Sequence, residues 1–500
     1  MIRGRLFIGT LAALFLIRLV FQSQIVVPLY ECAWPGTTGL FFTASGDTPG
    51  YINPWKNVLL KGVYSEDGLH PTANRMPYPG FLFFLAYVLV RDDIIAYNIV
   101  AILQILLGSI ATLLLANLCY EICLHASQNR TLALSTGIIF LILATLSLHT
   151  LHFDGAILSD GPAISFLSLF IFYYYRYLSM GKHSSLDFIW SSIFLAMTCL
   201  WRPYFVLLYP VIIVFELYRS KRIFESSSLR NILLFVTPIV LLDFPWIIRN
   251  YITFERFIPA QSDIYAGTCD RVCRAYRDFA KIAGGIWHAY QAPHSFACYF
   301  ESDYPSKCSF RFPFYMLGDK LNIKEIEKVK ALYARYKENR QNPLLQDSVI
   351  QAFSRLSSYY RQDHPYLYWL YPRLITLKSF LIHTATFYSP TYEKGVERLG
   401  KFLFWVVKST QAFLYWIALI GGFIGLIRLT IKRKESYILL FIPVYLIGLF
   451  PVYLMTQETR YFYAAYPMLL IGASYQIGSM LKGISLWKLS LLRNLSQKLQ

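Results

Sequence analysis

Acids and arginines beside long apolar segments are the residues of this sequence that could do chemistry. A carboxylate can accept a proton from an attacking group, and the planar guanidinium of arginine pairs well with anions such as phosphate. Together they indicate general-base catalysis beside a bound anion. The candidates, in chain order, are Asp47 (SGDTPGY), Arg75 (NRMPYPG), Asp154 and Asp160 (LHFDGAILSDGPA), Arg202 (LWRPY), Arg249 (FPWIIRNY) and Arg460 (TQETRYFY).

Several of these residues also have a purely structural interpretation. Asp47, which precedes the short predicted helix WKNVLLKGVY, could be a solvated surface acid, and Asp160 resembles a helix N-terminal cap. Arg202 could extend its side chain to the membrane interface, and Asp243 could pair with a nearby arginine only for stability. The functional interpretation requires these side chains to share one face of the molecule.

The composition places the supporting elements in a membrane. Of 500 residues, 56% are hydrophobic and 15% charged, with a mean hydropathy of +0.42, whereas soluble domains carry about 25% charged residues. Continuous apolar runs such as IVAILQILLGSIATLLLA indicate helices, because barrel strands would alternate. The net charge of +18 comes from basic residues near the ends of these runs. It therefore indicates orientation and no nucleic-acid partner.

The apolar runs predict an all-α polytopic bundle of about ten transmembrane helices. A further run, 80–90, is too short to cross and follows a Pro-rich stretch, so we expect a half-helix there. With that assignment the Lys- and Arg-rich turns and the N-terminus fall on the cytoplasmic side. The ten runs lie near residues 6–28, 93–119, 131–151, 157–178, 186–201, 204–218, 230–250, 400–427, 436–455 and 462–480.

The same pattern predicts the domain organisation. Residues 1–260 form an N-terminal transmembrane module that includes the first outer loop, 29–92, and residues 251–398 form a small, mostly helical outer domain. Transmembrane helices occupy 399–482, and a basic cytoplasmic tail occupies 483–500.

The cysteines divide between these regions. Four of them, Cys269, Cys273, Cys298 and Cys308, lie in the outer domain and predict one or two disulfides, with all pairings open. A zinc site with His288 or His294 is a weaker alternative, because the spacing matches no usual pattern. The cysteines of the membrane helices, Cys119, Cys123 and Cys199, are expected to act as small apolar residues.

Four arginines fall on the predicted outer face, against the tendency of basic residues to stay in the cytoplasm. They are Arg75, Arg202, Arg249 and Arg460. With several acids on the same face, they predict a site for a lipid-linked anion.

The order of these motifs resembles that of the GT-C glycosyltransferases, in particular glycosyltransferase family 39, which includes protein O-mannosyltransferases and lipid A aminoarabinose transferases. The resemblance covers residues 1 to about 260 and, more loosely, 400–480. Two departures are Asp160, where the family commonly has Glu, and Pro77-Tyr78-Pro79-Gly80, where Pro-Gly-Tyr-Pro is frequent. The similar motifs are DTPGY, RMPYPG, LSDGPAISFL, LWRPYFVLLYP, FPWIIRNYITFERFIP and ETRYFYAAYP.

The resemblance implies a GT-C-type bundle with interfacial helices in the first outer loop. It also implies an inverting transfer of a hexose or pentose from polyprenyl phosphate or dolichyl phosphate to an acceptor hydroxyl on the extracytoplasmic side, with Asp47 as general base. The residues implied to bind the lipid phosphate are Arg202, Arg249, Arg460 and, more weakly, Lys56. Arg75 and Tyr78 are implied to lie beside the acceptor or the sugar, and Asp160 is implied either to orient another side chain or to contact the acceptor. Tyr461 is implied to bind the substrate.

No cofactor is expected, since arginines can stabilise a monophosphate leaving group. A divalent ion between Asp47 and either Asp154 or Asp160 is the alternative. The expected partners are the lipid-linked sugar, a glycolipid, polysaccharide or protein acceptor, and the bilayer, with a bacterial inner membrane favoured over the endoplasmic reticulum.

Two other functions remain open. A flippase or transporter of lipid-linked sugars would bind near the membrane midplane. An O-antigen ligase or polymerase would use a diphosphate donor.

Overall fold

A computed structural model describes residues 4–33, 35–179, 185–220, 226–261, 271–282, 299–300, 312, 314–382, 400–455 and 459–498. Throughout these residues the regular structure is helical, apart from isolated bridges that join Thr43 to Thr38 and to Ala156. The α-helices are α1 (Gly4–Phe21), α2 (Val27–Ala33), α3 (Thr48–Lys61), α4 (Tyr78–Val90), α5 (Asp93–Ser127), α6 (Arg130–Leu146), α7 (Leu148–Asp154), α8 (Asp160–Ser179), α9 (Ser185–Trp201), α10 (Leu208–Ser220), α11 (Ser226–Phe254), α12 (Arg271–Ile282), α13 (Ile323–Glu338), α14 (Pro343–Asp363), α15 (Pro365–Ile382), α16 (Lys401–Trp416), α17 (Gly422–Lys432), α18 (Tyr437–Ile447) and α19 (Tyr466–Lys498).

Long apolar helices make the chain a multi-pass membrane protein. Within the described residues, five helical stretches are long and apolar enough to cross a bilayer, and α6 with α7, bent by 62°, would form a sixth. The other predicted runs form helices that are shorter or less apolar, so the number ten stays a prediction. The five stretches are Leu6–Glu31, Asp93–Ser127, Leu229–Phe254, Lys401–Lys432 and Lys434–Leu454.

The predicted half-helix is present as α4. Its 13 residues extend only ~20 Å, against ~30 Å of hydrocarbon. It ends at Arg91, which adopts a left-handed conformation with φ of 57°. Asp92 then caps α5 by accepting a hydrogen bond from the Ile95 amide at 2.8 Å.

The first outer loop differs from the prediction at α3. The helix begins at Thr48 and not at Trp55, with a proline in its first turn and Pro54 inside it, and it ends at Gly62 with φ of 73°. Because proline fits the first turn of a helix, where the amide would be unpaired anyway, the Pro-containing stretch after Asp47 does not prevent helix formation. Asp47 is therefore the residue that immediately precedes α3.

The chain divides into two compact units. The first contains Met1–Tyr265, Ala385–Val444 and Tyr463–Gln500, and the second contains Ala266–Thr384 and Tyr445–Phe462. In the second unit, α12, α13 and α14 enclose an aromatic-rich core that includes Tyr276, Phe353 and Tyr360. Cys273 on α12 is disulfide-bonded, in keeping with the prediction for this region, whereas Cys269, Cys298 and Cys308 lie outside the described residues. Cys119, Cys123 and Cys199 are buried free thiols in the first unit, as expected.

Candidate functional site

Asp47 and Arg75 form an ion pair in the first outer loop. The Asp47 Oδ1 atom accepts a hydrogen bond from Arg75 Nη2 at 3.0 Å, and the two side chains are 31% and 26% exposed. Asp47 occupies the capping position of α3, but its side chain makes no capping hydrogen bond to the helix. The carboxylate is therefore directed to an arginine while part of its surface stays accessible.

Tyr51 connects this ion pair to the start of α8. Arg75 Nη1 donates to the Tyr51 hydroxyl at 3.3 Å, and the guanidinium carbon lies 4.9 Å from the centre of the Tyr51 ring. The same hydroxyl is 2.9 Å from Ser159 Oγ in a buried hydrogen bond. Sequence reasoning did not select Tyr51 or Ser159. Tyr51 lies four residues after Asp47, and residues at this spacing share one side of a helix. This spacing is the signal that could have identified Tyr51.

Asp160 and Arg202 form the second ion pair. Asp160 begins α8, directly after Ser159, and Arg202 lies at the break between α9 and the 3-10 helix Pro203–Leu207. The residue before a proline is biased toward extended backbone, and Arg202 has φ of −141° and ψ of 92°. Both side chains are buried, at 3% and 9% exposed. The predicted break thus turns the arginine toward a carboxylate.

Arg249, near the end of α11, holds the loop between α3 and α4. Its guanidinium donates to the backbone carbonyls of Thr72 and Tyr64, at 2.8 Å and 3.1 Å. The guanidinium carbon also lies 5.2, 5.1 and 5.2 Å from the ring centres of Tyr64, Trp246 and Phe254, within the range of cation–π contacts. These contacts give Arg249 a structural role in shaping the loop that carries Arg75.

Lys56 and Tyr78 are both engaged with protein groups. Lys56 Nζ lies 2.5 Å from Asp93 Oδ2 at the start of α5. The Tyr78 hydroxyl donates to the Leu242 carbonyl. Burial, with a smaller effect of Asp243, raises the pKa of Tyr78 to about 12, so the phenol stays protonated and keeps this hydrogen bond. The two residues connect the first outer loop to α5 and α11.

Arg460 and Tyr461 belong to the second unit. The Arg460 guanidinium lies over the Tyr461 ring, with its carbon 5.4 Å from the ring centre. Tyr461 stacks on Phe450, with the ring centres 4.4 Å apart. Participation of Arg460 and Tyr461 in one site with Asp47 remains a prediction.

Another arginine–aspartate ion pair, which sequence reasoning missed, joins Arg18 of α1 to Asp154 at the end of α7. Each acid considered for a divalent ion thus has its own arginine: Arg75 for Asp47, Arg18 for Asp154 and Arg202 for Asp160. Among the described residues, no group of three or more His, Cys, Asp or Glu side chains is arranged to hold a metal ion.

Comparisons with protein-family profiles and with curated protein sequences gave no match. Two solved structures are similar to the chain. The crystal structure of ArnT from Cupriavidus metallidurans bound to undecaprenyl phosphate has a TM-score of 0.35 and 11% identity, over 96% of this chain and 78% of that one. The apo structure of the same protein gives 0.35 and 11%, over 94% and 76%. A similarity at this level assigns neither the fold family nor the site.

Proposed function

We propose that the chain is an inverting GT-C-type glycosyltransferase that moves a sugar from a polyprenyl-phosphate or dolichyl-phosphate donor to an acceptor hydroxyl. The observation that carries the proposal is the linked pair of sites: Asp47 with Arg75, joined through Tyr51 and Ser159 to Asp160 with Arg202. Sugar transfer to an alcohol requires an accessible carboxylate that accepts the proton of the alcohol. It also requires nearby positive groups, such as buried arginines, that stabilise the departing phosphate.

In the proposed reaction, Asp47 accepts the proton of the acceptor hydroxyl as its oxygen attacks the anomeric carbon. The bond between that carbon and the phosphate oxygen breaks on the opposite side, and its electron pair leaves with the lipid phosphate. The anomeric centre is therefore inverted. Arg75, whose Nη2 donates to Asp47 Oδ1, orients the Asp47 carboxylate for this role.

The lipid phosphate carries more negative charge as it leaves, and fixed guanidinium groups stabilise it. We assign this role to Arg202, and for Arg460, in the second unit, the same role stays a prediction. Arg249 already donates to two carbonyls of the outer loop, so we assign it the indirect role of fixing that loop. Asp160 orients Arg202, and Tyr78, Lys56 and, in the second unit, Tyr461 are kept as candidate substrate contacts.

The proposal includes the placement of the chain. About ten crossings, an N-terminus in the cytoplasm, a helical outer domain over 251–398 and a bacterial inner membrane would put Asp47 on the extracytoplasmic side. The disulfide at Cys273 supports this orientation for the second unit, since disulfides persist in oxidising compartments.

The direct test is sugar transfer by the purified protein in lipid nanodiscs, supplied with a panel of polyprenyl-phosphate hexoses and pentoses. Asp47→Asn keeps the size of the side chain but removes its basicity, so we expect a ~10²- to 10⁴-fold loss of kcat. Release of polyprenyl phosphate is the measurement.

Asp67→Asn is the matched control, because Asp67 is an ionised acid of the same loop. Its hydrogen bond with the His70 ring, and others from nearby groups, hold its pKa well below the usual range. We expect this variant to keep activity within about twofold. Full activity of Asp47→Asn would exclude Asp47 as base, and absence of transfer by the unaltered protein with every donor would exclude the function.

A further inference from the structure

The buried ion pair between Arg18 and Asp154 is not used by the proposed reaction. Arg18 Nη1 donates to Asp154 Oδ2 at 2.8 Å, Arg18 Nη2 donates to Thr112 Oγ1 at 2.6 Å, and the paired side chains are only 3% and 9% exposed. The pair lines a small, partly open cavity inside the bundle of the first unit. Buried ion pairs are costly compared with packed apolar side chains, and their best-attested use is to fix position.

The residues around the pair are shaped to accept it. Gly108 of α5 lies against it, and a Cβ atom there would be 2.6 Å from Asp154 Oδ1 and 2.8 Å from Arg18 Nη1. When its side-chain nitrogen faces residues 154–156, Gln104 donates to the backbone carbonyls of Asp154 and Ala156, at 3.2 Å and 2.9 Å. The end of α7 is thus held from α1 and from α5.

The segment that follows Asp154 is hydrogen-bonded to both sides of Asp47. Before Asp47, the Thr43 amide donates to the Gly155 carbonyl at 3.0 Å, and the Ile157 amide donates to the Thr43 carbonyl at 2.9 Å. After Asp47, Thr48 Oγ1 donates to the Ile157 carbonyl at 3.0 Å. The Tyr51 hydroxyl is hydrogen-bonded to Ser159, as described above.

This segment also has little freedom to shift. A Cβ atom at Gly155 would lie 2.1 Å from Gln22 Nε2 and 2.5 Å from the Phe41 carbonyl oxygen. Since the chain here packs directly against the first outer loop, a displacement of Asp154 would be transmitted to residues 43–51.

We propose that the Arg18–Asp154 ion pair is a positioning device for the catalytic base. It fixes residues 155–159, and these hold the turn that presents Asp47 through Thr43, Thr48 and Tyr51. Arg18 and Asp154 are positioning residues that act on the reaction through this contact. The inference rests on the proposed function for its catalytic consequence, but its structural part can be measured separately.

The test compares two paired substitutions in the full-length protein in nanodiscs. Arg18→Met with Asp154→Asn removes both charges and leaves no unpaired ion. Because a base displaced by about 1 Å can cost ~10²-fold, we expect kcat for a polyprenyl-phosphate sugar to fall roughly 10- to 100-fold, with KM changed less than about threefold. Amide hydrogen exchange at Thr43 and Ile157 should accelerate, while α5 stays protected.

The matched control is Arg176→Met with Asp187→Asn. This pair joins α8 to α9 at 3.6 Å, with a buried Asp187 side chain (8% exposed) and a partly buried Arg176 side chain (24% exposed), and it has no described contact with residues 43–51. We expect the control to change neither kcat nor exchange at Thr43 and Ile157.

Gly108→Ala is the second variant, in case the double substitution does not fold. Alanine favours the helix by about 1 kcal/mol over glycine, yet its Cβ would push the ion pair apart, so we expect faster exchange at the same amides and a several-fold lower kcat. Normal exchange in the folded variants, or a loss of kcat without faster exchange, would overturn the inference. If the unaltered protein transfers no sugar, the proposed function fails, and the exchange measurement alone decides whether the ion pair holds the segment.

Discussion

Asp47 occupies a position where an aspartate usually caps a helix, but it does not do so. Loss of a capping interaction typically costs about 1 kcal/mol. The Asp47 side chain instead pairs with Arg75, 28 residues further along the chain. Arg75 is itself held by the hydroxyl and the ring of Tyr51. The orientation of the proposed base is therefore maintained by Arg75 and Tyr51 and not by a capping hydrogen bond to α3.

Tyr51→Phe tests this arrangement. The substitution keeps the ring beside Arg75 but removes the hydroxyl that contacts both Arg75 and Ser159. We expect roughly tenfold lower kcat and a loss of ~1 kcal/mol of stability, measured by sugar transfer and thermal unfolding. Tyr97→Phe is the control, since Tyr97 packs its ring on Phe42 and Phe83. Equal losses of kcat in both variants would contradict a specific role of the Tyr51 hydroxyl.

At the residue scale, sequence reasoning identified chemical types better than partners. Asp160 and Arg202 were both expected in the site, and they form an ion pair. The contact between Tyr51 and Ser159 could not be predicted, because 108 residues separate them and neither residue type is distinctive. Arg18 was hidden for a different reason. It lies within the predicted first transmembrane run, 6–28, and only packing reveals its carboxylate partner.

At the scale of elements, the predicted helix breaks were correct where a proline in the sequence causes them. Proline ends helix α9 at the Arg202 corner, and α4 begins within the Pro-rich stretch, at Tyr78. The bend of 62° between α6 and α7 was not predicted. It occurs at Ser147, whose backbone is extended within a continuous apolar run, so hydropathy alone gives no sign of it.

Close packing of α17 on α19 gives a prediction at the same scale. Small residues let membrane helices approach closely, and a Cβ atom at Gly425 would lie 1.9 Å from the Gly472 carbonyl oxygen. Gly425→Ala should therefore separate the helices and lower the free energy of unfolding by roughly 1–3 kcal/mol. Chemical or thermal unfolding measures it. Gly421→Ala is the control, because a Cβ atom at Gly421 would lie 3.9 Å from its nearest neighbours and should be tolerated. Equal stability of the two variants would argue against close packing.

At the scale of the whole molecule, the short α4 determines the sidedness of everything that follows. If α4 does not cross, Leu69 before it and Arg91 after it lie on one side of the membrane, and Gln128 at the end of α5 lies on the other. Single cysteines at these exposed positions, each compared with the parent protein, should react accordingly with an impermeant maleimide in sealed spheroplasts. We expect Leu69→Cys and Arg91→Cys to react at once, and Gln128→Cys only after permeabilisation. Delayed labelling of Arg91→Cys would show that α4 crosses.

The length of α5 has a consequence for the lipids around the protein. Its 35 residues extend ~52 Å, far beyond ~30 Å of hydrocarbon, and an ordinary tilt of about 20° does not absorb the difference. Phe83 of α4 contacts Tyr97 near the start of α5, and Lys56 pairs with Asp93, so α3 and α4 contact one end of α5. Acyl chains of increasing length would progressively submerge this end. Turnover in vesicles of stepwise thicker bilayers is therefore expected to pass through an optimum set by hydrophobic mismatch.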